Sequence, residues 1–476
     1  MTNGKLDTLA NAPAFAGRAL SWALSTVVFA GVAFTGVVFA GIARADLTVG
    51  PPGSGADYDD LQAAIDAAPS GETLRLLPGH YEPAAISFKG LRIIGPGPDQ
   101  VVIGTDELEP EAFSVFSISG TLDDRDEIFI SGVTFRSDEG TRGTDVRAAS
   151  VNGRLTFHDV VFETVEPPWD NQATVTLSSC SDVVFDDCVI AGYDPGNHSS
   201  PTDANGGPAL HVLNFTRVAL HRCRVTGGSS GDFGTGNLRA GAALWDQGFS
   251  TNITIHGGEY RGGSARVPND PTASAKPAAA LVLDSDPATL SGPPETLFRG
   301  GDGYLAQDGQ NVPGAQAVDW FSSLLVLKVV ADGPSFEGGV GGNGQSATPY
   351  DVLAGLGPTE LDLRFPGLHP SSASASTGAA FTLRLDGEPG ALHAVYASIY
   401  LAKAFKVHGV GASAYLSPTS LDFLGQATLD ATGAAELQLQ VPADPSLAGR
   451  TLWFQSVRTL QGAPARWSLP AGLRVD

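Results

Sequence analysis

The chain has 476 residues, including 59 Gly, 32 Pro and 3 Cys, and 17% of its residues are charged. It carries 28 basic against 51 acidic side chains, a formal net charge of −23. This charge argues against nucleic acid and anionic membranes as partners, because both are bound through clustered Lys and Arg. Many glycines and prolines with few charges favour short strands and turns over helix bundles, and the lack of a three-residue glycine period excludes collagen.

An apolar stretch at residues 19–42 follows Lys5 and Arg18 and ends at Ala43-Arg44-Ala45. A basic start, an apolar segment and an A-x-A site are typical of a secretory signal, which is predicted for residues 1–45. The stretch is also long enough to span a bilayer, so a retained anchor is the alternative, and only then is a membrane a predicted partner. In both cases the remaining chain is predicted to be secreted or held at the cell surface.

The first element after this stretch is predicted to be a short amphipathic helix between Tyr58 and Ala68. Leu61, Ala64 and Ile65 fall on one face of that helix. A helix at this point would cap the first strands that follow it and cover their unpaired edge.

Five copies of one pattern, apolar-x-apolar-x-x-apolar-x-apolar, then follow in succession. The alternation predicts a strand with one buried face, and the slip of phase between the second and third apolar positions predicts a tight corner. Strands this short bury their apolar face only when successive coils stack on one another. The apolar positions are Ile128, Ile130, Val133 and Phe135; Leu155, Phe157, Val160 and Phe162; Val183, Phe185, Cys188 and Ile190; Val218, Leu220, Cys223 and Val225; and Ile253, Ile255, Gly258 and Tyr260.

The second corner position supports this interpretation. It reads Gly132, Asp159, Asp187, Arg222 and Gly257 in the five copies. Gly and Asp tolerate a left-handed or turn backbone, so four of the five residues suit a tight corner.

The predicted fold is all-β: a right-handed parallel β-helix with an N-terminal capping helix, followed by a small C-terminal β-sandwich. The predicted boundaries are 46–356 for the β-helix, 357–378 for a linker and 379–476 for the sandwich module. With its Pro78-Gly79-His80-Tyr81 turn after the helix, the pattern resembles the pectin lyase-like superfamily of right-handed β-helices. The resemblance implies the fold but no particular reaction, because such scaffolds include lyases, hydrolases, esterases and non-enzymes.

Glycine-rich stretches mark the later coils. An apolar-x-Gly-Gly sequence ends at Gly228, Gly263, Gly301 and Gly339, which predicts two further coils. Calcium-binding nonapeptide repeats require an aspartate at their sixth position, where the stretches that start at Gly300 and Gly338 have Leu305 and Asn343. These two stretches are predicted to be flexible loops.

The first corner position, here called the corner ladder, reads Ser131, His158, Asp186, His221 and His256. Coils stack about 4.8 Å apart, so these residues become neighbours along one edge. Imidazoles and a carboxylate are ligands for divalent metals, so His158, Asp186, His221 and His256 are candidates for a calcium or zinc site. The favoured alternative is a solvated polar ladder, because a straight column does not converge tetrahedrally.

Catalytic candidates are few. Asp186 and Asp187 form an adjacent carboxylate pair of the kind that hydrolases use, and Arg222 is a candidate for the base of a lyase. Asp187 is also explained as a turn residue and Arg222 as a solvated surface charge. The sequence therefore leaves open whether the protein is an enzyme.

Insertions after the third strand of each repeat share one corner and are predicted to stack into a wall, here called the loop wall. The insertions are Glu163–Gln172, Ala191–Gly207, Thr226–Gly241 and Arg261–Pro277. The loop wall would carry Trp169, Tyr193, Phe233 and Arg239, where aromatic faces and hydrogen-bonding groups suit a sugar ring. Packing of these aromatics within the loops is the favoured alternative. The predicted function is non-catalytic binding of an extracellular polysaccharide or cell-surface glycan. A polysaccharide lyase or glycoside hydrolase and a purely structural spacer are the alternatives.

Overall fold

The computed structural model describes the chain from Asp46 to Val475, and the predicted signal or anchor at residues 1–45 lies outside the described residues. The described range has gaps at residues 105–113, 121–126, 138–143, 165–171, 196–204, 232–236, 248–250, 269–272, 284–287, 292–295, 307, 321–326, 331–333, 350–358, 362–366, 371–373, 387–388, 400, 406–409, 412–413, 417–420, 432, 448–450, 461–462 and 469–470.

The predicted helix is present as α1 (Leu61–Ala67). It begins at Asp60, whose carboxylate accepts a hydrogen bond from the Ala63 N–H at 2.5 Å, the usual role of an N-cap. Its C-terminal carbonyls accept hydrogen bonds from Lys89, including one at 2.6 Å to Ile65. Leu61, Ala64 and Ile65 are buried in the same hydrophobic core as the strands, as the amphipathic pattern predicts.

Short strands make up most of the described chain from residue 47 to residue 361. In chain order they are β1 (Leu47–Val49), β2 (Glu72–Leu76), β3 (Gly79–Tyr81), β4 (Ala84–Ser87), β5 (Leu91–Ile94), β6 (Val101–Gly104), β7 (Ser114–Ser119), β8 (Glu127–Ser137), β9 (Thr144–Ala149), β10 (Arg154–Thr164), β11 (Val175–Ser178), β12 (Asp182–Asp186), β13 (Val189–Ala191), β14 (Leu210–Leu213), β15 (Arg217–Thr226), β16 (Asn237–Arg239), β17 (Leu244–Gln247), β18 (Asn252–Arg261), β19 (Ser274–Lys276), β20 (Leu281–Leu283), β21 (Ala288–Ser291), β22 (Leu297–Arg299), β23 (Val318–Trp320), β24 (Leu327–Val330), β25 (Ser335–Glu337) and β26 (Thr359–Leu361).

Each coil consists of three legs, which the strands β12, β13 and β14 illustrate. First and second legs belong to one large sheet, in which the first legs run in the order β1-β2-β5-β8-β10-β12-β15-β18-β21-β24-β26. Third legs form a second sheet, ordered β23-β20-β17-β14-β11-β9-β7-β4. Each rung pairs with the next in parallel, as in β10 with β12 and β11 with β14. The predicted right-handed parallel β-helix is therefore confirmed.

The predicted interior columns are present. Phe157 pairs in register with Phe185, and Phe185 with Leu220, so the three side chains follow one another along the axis. The Phe157 and Phe185 rings stack with centroids 5.1 Å apart. Burying one such ring stabilises the fold by about 1.5–3 kcal/mol relative to leaving it in water. The interior column also holds Cys188 and Cys223 as buried free thiols.

The tight corners adopt the backbone that their sequence predicts. Gly132, Asp159, Asp187 and Gly257 have φ values of 65°, 51°, 53° and 73°. Arg222, the one residue that did not fit by type, has the same left-handed conformation, with φ 51°. A bulky residue rarely adopts this conformation, so the contacts of Arg222 must hold it there.

The Gly-Gly pairs that end the later coils are buried and are joined to one another by backbone hydrogen bonds. The two stretches predicted to be flexible loops are partly exposed and are joined by one backbone bond, from Gly303 N–H to the Val340 carbonyl at 2.9 Å. Gly228 donates to the Gly207 carbonyl at 2.9 Å, Gly241 to Gly228 at 2.8 Å and Gly263 to Gly241 at 2.9 Å. A Cβ on Gly263 would overlap the Gly228 carbonyl oxygen, so only glycine permits this approach. The bonded series, here called the glycine column, is Gly207, Gly228, Gly241, Gly263, Ala278, Gly301, Ala315, Gly339 and Ala347.

The remaining strands form a C-terminal module. They are β27 (Gly367–Pro370), β28 (Ser374–Ala375), β29 (Ala380–Asp386), β30 (Leu392–Ser398), β31 (Leu401–Phe405), β32 (Val410–Gly411), β33 (Ala414–Leu416), β34 (Asp422–Thr428), β35 (Ala434–Gln440), β36 (Thr451–Leu460), β37 (Ala463–Trp467) and β38 (Ala471–Val475), with a 3-10 turn at Pro445–Leu447.

The module is a β-sandwich with its own core. A sheet ordered β27-β29-β35 and a sheet ordered β28-β38-β36-β30-β34 share buried residues such as Leu383, Val395 and Phe454. Strands β27 and β28 fall inside residues 357–378, the range predicted to be a linker. Each of them pairs with a strand of the module, so this part of the range belongs to the sandwich. Among the described residues, no helix has the length and apolar character needed to cross a membrane.

Candidate functional site

The corner ladder forms as predicted in register but not in environment. His158 pairs with Ser131 and Asp186, and Asp186 pairs with His221, which pairs with His256. The side chains of His158, Asp186 and His221 are only 2%, 1% and 2% exposed, so the prediction of a solvated ladder is wrong for these three. The side chain of His256 lies outside the described atoms.

The C-terminal module covers this face of the β-helix. The Trp453 ring meets the His221 ring edge-on, with centroids 5.5 Å apart and planes at 79°. Trp453 and Leu416 of the module also form one buried cluster with Val184, an outward residue of the first leg. The contact between the C-terminal module and the β-helix joins residues far apart in the sequence and has no local sequence pattern. The burial of His158, Asp186 and His221 was therefore not predicted.

Asp186 is the centre of an ion-pair network below that interface. Its carboxylate is 2.9 Å from His158 Nδ1 through one oxygen and 2.8 Å from Arg222 Nη2 through the other. Arg222 also donates to Asp187 from Nε at 2.8 Å and from Nη2 at 2.7 Å. The prediction that Arg222 is a solvated surface charge is wrong: it bridges two carboxylates, and these bonds hold its left-handed corner.

The network sets the protonation of its members. Burial raises the pKa of Asp186, but the Arg222 guanidinium and the hydrogen bond from His158 outweigh it and hold that pKa well below its ordinary value. Burial lowers the pKa of His221 to about 4, and Asp186 opposes this only in part. Asp186 is therefore an anion and His221 a neutral imidazole near pH 7.

The same residues were the candidates for a metal. One ligand atom each of His158, Asp186 and Asp187 lie within 4.8 Å of one another. However, the permanently charged Arg222 guanidinium already binds both carboxylates, and a divalent cation would have to displace it. The donor set therefore does not fit calcium or zinc.

The candidate catalytic groups are engaged in the same way. Asp186 and Asp187 share one guanidinium and approach within 4.8 Å, closer than the separation of about 6.5–9.5 Å that leaves room for water in an inverting hydrolase. Arg222 is charged and doubly paired, so it is a poor base. Within the described part of the chain, these three residues act as structural ion pairs.

The loop wall forms where the insertions predict it. Ser230 N–H donates to the Ser264 carbonyl at 3.0 Å, and Ala265 N–H to the Asp302 carbonyl at 2.8 Å, so successive loops are joined along the axis. Strands β16 and β19 pair in parallel within it. The loop wall has a small core of its own, formed by Leu238, Ala265, Ala275 and Tyr304.

The predicted sugar-binding residues of the loop wall have different environments. Tyr193 is only 3% exposed, so the prediction that its ring offers a stacking surface is wrong. Arg239 is exposed. Trp169 and Phe233 lie outside the described residues.

A second aromatic site lies on the outward face of the third legs. His211 of β14 and Trp245 of β17 are register partners, and their rings stack with centroids 4.6 Å apart and planes at 11°. Both side chains are half-buried, and His211 Nε2 lies 3.1 Å from the exposed Gln247 Oε1. This pair is here called the aromatic platform. Sequence reasoning missed it, although both residues occupy polar-phase positions of the alternation, between buried Leu210 and Val212 in β14 and after buried Leu244 in β17.

The platform has a polar, uncharged chemistry. Burial lowers the pKa of His211, with the Gln247 hydrogen bond opposing it, so the imidazole is neutral at pH 7. Along the axis, the same outward column continues from Trp245 to Val282 and Asp319. On the side toward the next rung, the Trp245 indole ring is therefore adjacent to the smaller side chain of Val282.

No protein-family model matches the chain, and no curated protein matches it. Among solved structures, the chain is similar to the enzymatically active domain of tailspike protein 2 from bacteriophage CBA120, with 10% identity, a TM-score of 0.30 and coverage of 91% of this chain and 76% of that one. Full-length tailspike protein 2 from an Escherichia coli O157:H7 bacteriophage matches with 12% identity, a TM-score of 0.29 and coverage of 91% and 68%. The sporulation control protein Spo0M of Bacillus subtilis matches 24% of this chain at 10% identity and a TM-score of 0.15.

Proposed function

We propose that this protein is exported and binds an extracellular polysaccharide or cell-surface glycan without catalysis, and that the aromatic platform is its sugar contact. The observation that carries the proposal is the stacked, half-buried pair of His211 and Trp245 on the outward face of the third legs. Aromatic faces stack on the C–H faces of sugar rings while nearby polar groups bind the hydroxyls.

In the outward column, the large Trp245 side chain is followed by the smaller Val282, and the space over Val282 suits one pyranose ring. Val282 occupies the next rung in the same column, so a ring lying over Val282 would contact the indole face. Gln247 is exposed and offers its amide beside the platform. Rungs about 4.8 Å apart would place further sugars of one chain over successive outward residues.

Export of the folded chain agrees with the N-terminal pattern at residues 1–45. The ion-pair network supports the non-catalytic part of the proposal, since Asp186, Asp187 and Arg222 are bound to one another and Asp186 is buried.

Trp245→Ala tests the proposal. We expect the wild-type protein to bind at least one polysaccharide on a glycan array, and the variant to bind it at least about tenfold more weakly by calorimetry, because about 1.4 kcal/mol of ring contact is lost. Phe88→Ala is the matched control: Phe88 is 73% exposed at the corner after β4, five rungs from β17.

The control should bind like the wild type. Equal binding by Trp245→Ala and wild type would refute the platform as the sugar contact. Product release from any polysaccharide by the wild-type protein, seen as new reducing ends or unsaturated products, would refute the non-catalytic assignment.

A further inference from the structure

Two cations project from neighbouring strands of the loop wall. Leu238 of β16 and Ala275 of β19 are register partners buried in the small core of the loop wall. Arg239 and Lys276 follow them, also in register, and alternation directs them to the opposite, outward side. Both side chains are exposed.

The backbone under this pair is fixed by hydrogen bonds. Arg239 N–H donates to Asn205 Oδ1 at 2.8 Å, and its carbonyl accepts from Gly206 N–H at 2.8 Å. Ala240 N–H donates to the Lys276 carbonyl at 2.9 Å. The two cations therefore project from a rigid surface rather than from a free loop.

The pair lacks the acidic partner that neighbouring cations have. Arg266 is 2.8 Å from Asp194, and Arg299 is 3.0 Å from Asp302. No acidic side chain of the described residues lies within ion-pair distance of Arg239 or Lys276. Like charges directly opposite on paired strands destabilise a sheet, and this chain has 51 acidic residues from which a partner could be drawn.

An external oxyanion would relieve that repulsion. A guanidinium offers a planar fork of donors and an ammonium offers a compact point charge, and together they suit a carboxylate or a sulfate ester. Arg239 precedes Trp245 by six residues, and Lys276 precedes Val282 by six. Six extended residues span at most about 20 Å, so the cations and the platform are within reach of one short oligosaccharide.

We propose that Arg239 and Lys276 form an oxyanion subsite that selects acidic glycans, those carrying carboxylate or sulfate groups, at the platform. The inference rests on the proposed function, and it names the class of glycan that the platform receives. The local attraction acts within a Debye length of about 8 Å at physiological salt, so it works despite the negative charge of the whole chain.

The test compares acidic and neutral forms of the same polymer by calorimetry. One arm uses dextran sulfate and dextran, and the other uses a hyaluronan oligosaccharide and its carboxyl-reduced form, so the two arms separate sulfate from carboxylate. We expect the wild-type protein to bind the acidic form of at least one pair about tenfold or more tightly than the neutral form at 0.15 M salt. The double variant Arg239→Ala/Lys276→Ala should lose this preference while still binding the neutral form.

Arg224→Ala is the matched control, because Arg224 is an exposed cation whose side chain is 68% exposed on a second leg. It should keep the preference. An unchanged preference in the double variant, or an equal loss in Arg224→Ala, would overturn the oxyanion subsite alone if Trp245→Ala still weakens binding of the neutral form about tenfold or more. Failure of the wild-type protein to bind any of the four polymers would overturn the subsite and leave the proposed function standing, provided that the glycan array shows a ligand whose binding Trp245→Ala weakens. Failure on the glycan array as well would overturn both.

Discussion

Arg222 is a residue whose backbone conformation and side-chain contacts depend on each other. A non-glycine residue in the left-handed region costs roughly 1–2 kcal/mol. Its φ of 51° persists because the guanidinium binds Asp186 and Asp187 with bonds of 2.7–2.8 Å. The Asp186 carboxylate, in turn, is buried and needs that positive charge.

Arg222→Ala should therefore destabilise the protein more than its partial exposure suggests. The substitution leaves the Asp186 charge buried with only His158 as a partner, and breaking a buried pair in this way costs about 3–5 kcal/mol. The free energy of unfolding from urea titration at pH 7 measures this loss. Arg224→Ala, two residues further along β15 and with its side chain 68% exposed, should change it by less than about 0.5 kcal/mol; a similar loss in both variants would contradict the network.

For single residues, the sequence predicted conformation and contacts only where a local pattern exists. The corner conformation of Asp159 and Asp187 was predictable because Asp is a turn former. The partners of Arg222 were not, since they lie 35 and 36 residues away and become neighbours only through coil stacking. His211 and Trp245 were missed because one aromatic at a polar position does not identify its neighbour in the next rung.

At the scale of the element, the coil combines side-chain columns with a backbone column. The first and second legs bury stacked side chains, and pairs such as Tyr260 and Phe298 continue the interior column with ring centroids 4.9 Å apart. Where the loop wall leaves and rejoins the coil, side chains are replaced by the close backbone contacts of the glycine column. Alternation predicts the first arrangement. High glycine content does not predict the glycine column, because a flexible loop has the same composition.

Gly263→Ala should disrupt the glycine column. The new Cβ would overlap the Gly228 carbonyl oxygen, a backbone atom that cannot rotate away, so we expect a loss of about 3 kcal/mol or more. Gly309→Ala is the comparison, because its Cβ would meet nothing within 4 Å and only its φ of +78° opposes the change, at about 1 kcal/mol. Denaturant midpoints measured side by side should show this order, and the reverse order would refute the close-packed column.

At the scale of the whole molecule, the sandwich module and the β-helix share an apolar interface that also covers the buried His221. His221 lies beneath Trp453 and beside Asp186, Asp187 and Arg222, and its neutral form is the one that burial favours. Because docking surfaces are set by two distant segments, neither the cover over His221 nor the position of the module was predictable from the repeat.

Acid should weaken this interface. The pKa of His221 is about 4 in the fold against an ordinary 6.5, so its contribution to stability is complete above pH 6.5 and is lost progressively as the pH falls toward 4. The difference corresponds to about 3 kcal/mol. The lowered pKa of Asp186 adds a further loss below about pH 4. Urea titrations at several pH values should show this fall, with a smaller slope between pH 6.5 and 5 for His221→Gln; an unchanged slope would contradict the assignment.

The hydrogen bond from Gly241 to Gly228 also closes the base of one excursion of the loop wall, residues 229–240. Once the two ends of a segment are held together, lengthening the segment adds little further entropic cost. A foreign peptide inserted between Gly231 and Asn237 would therefore lengthen this excursion at little cost, while Ser230 and Leu238 keep their contacts with the neighbouring loops.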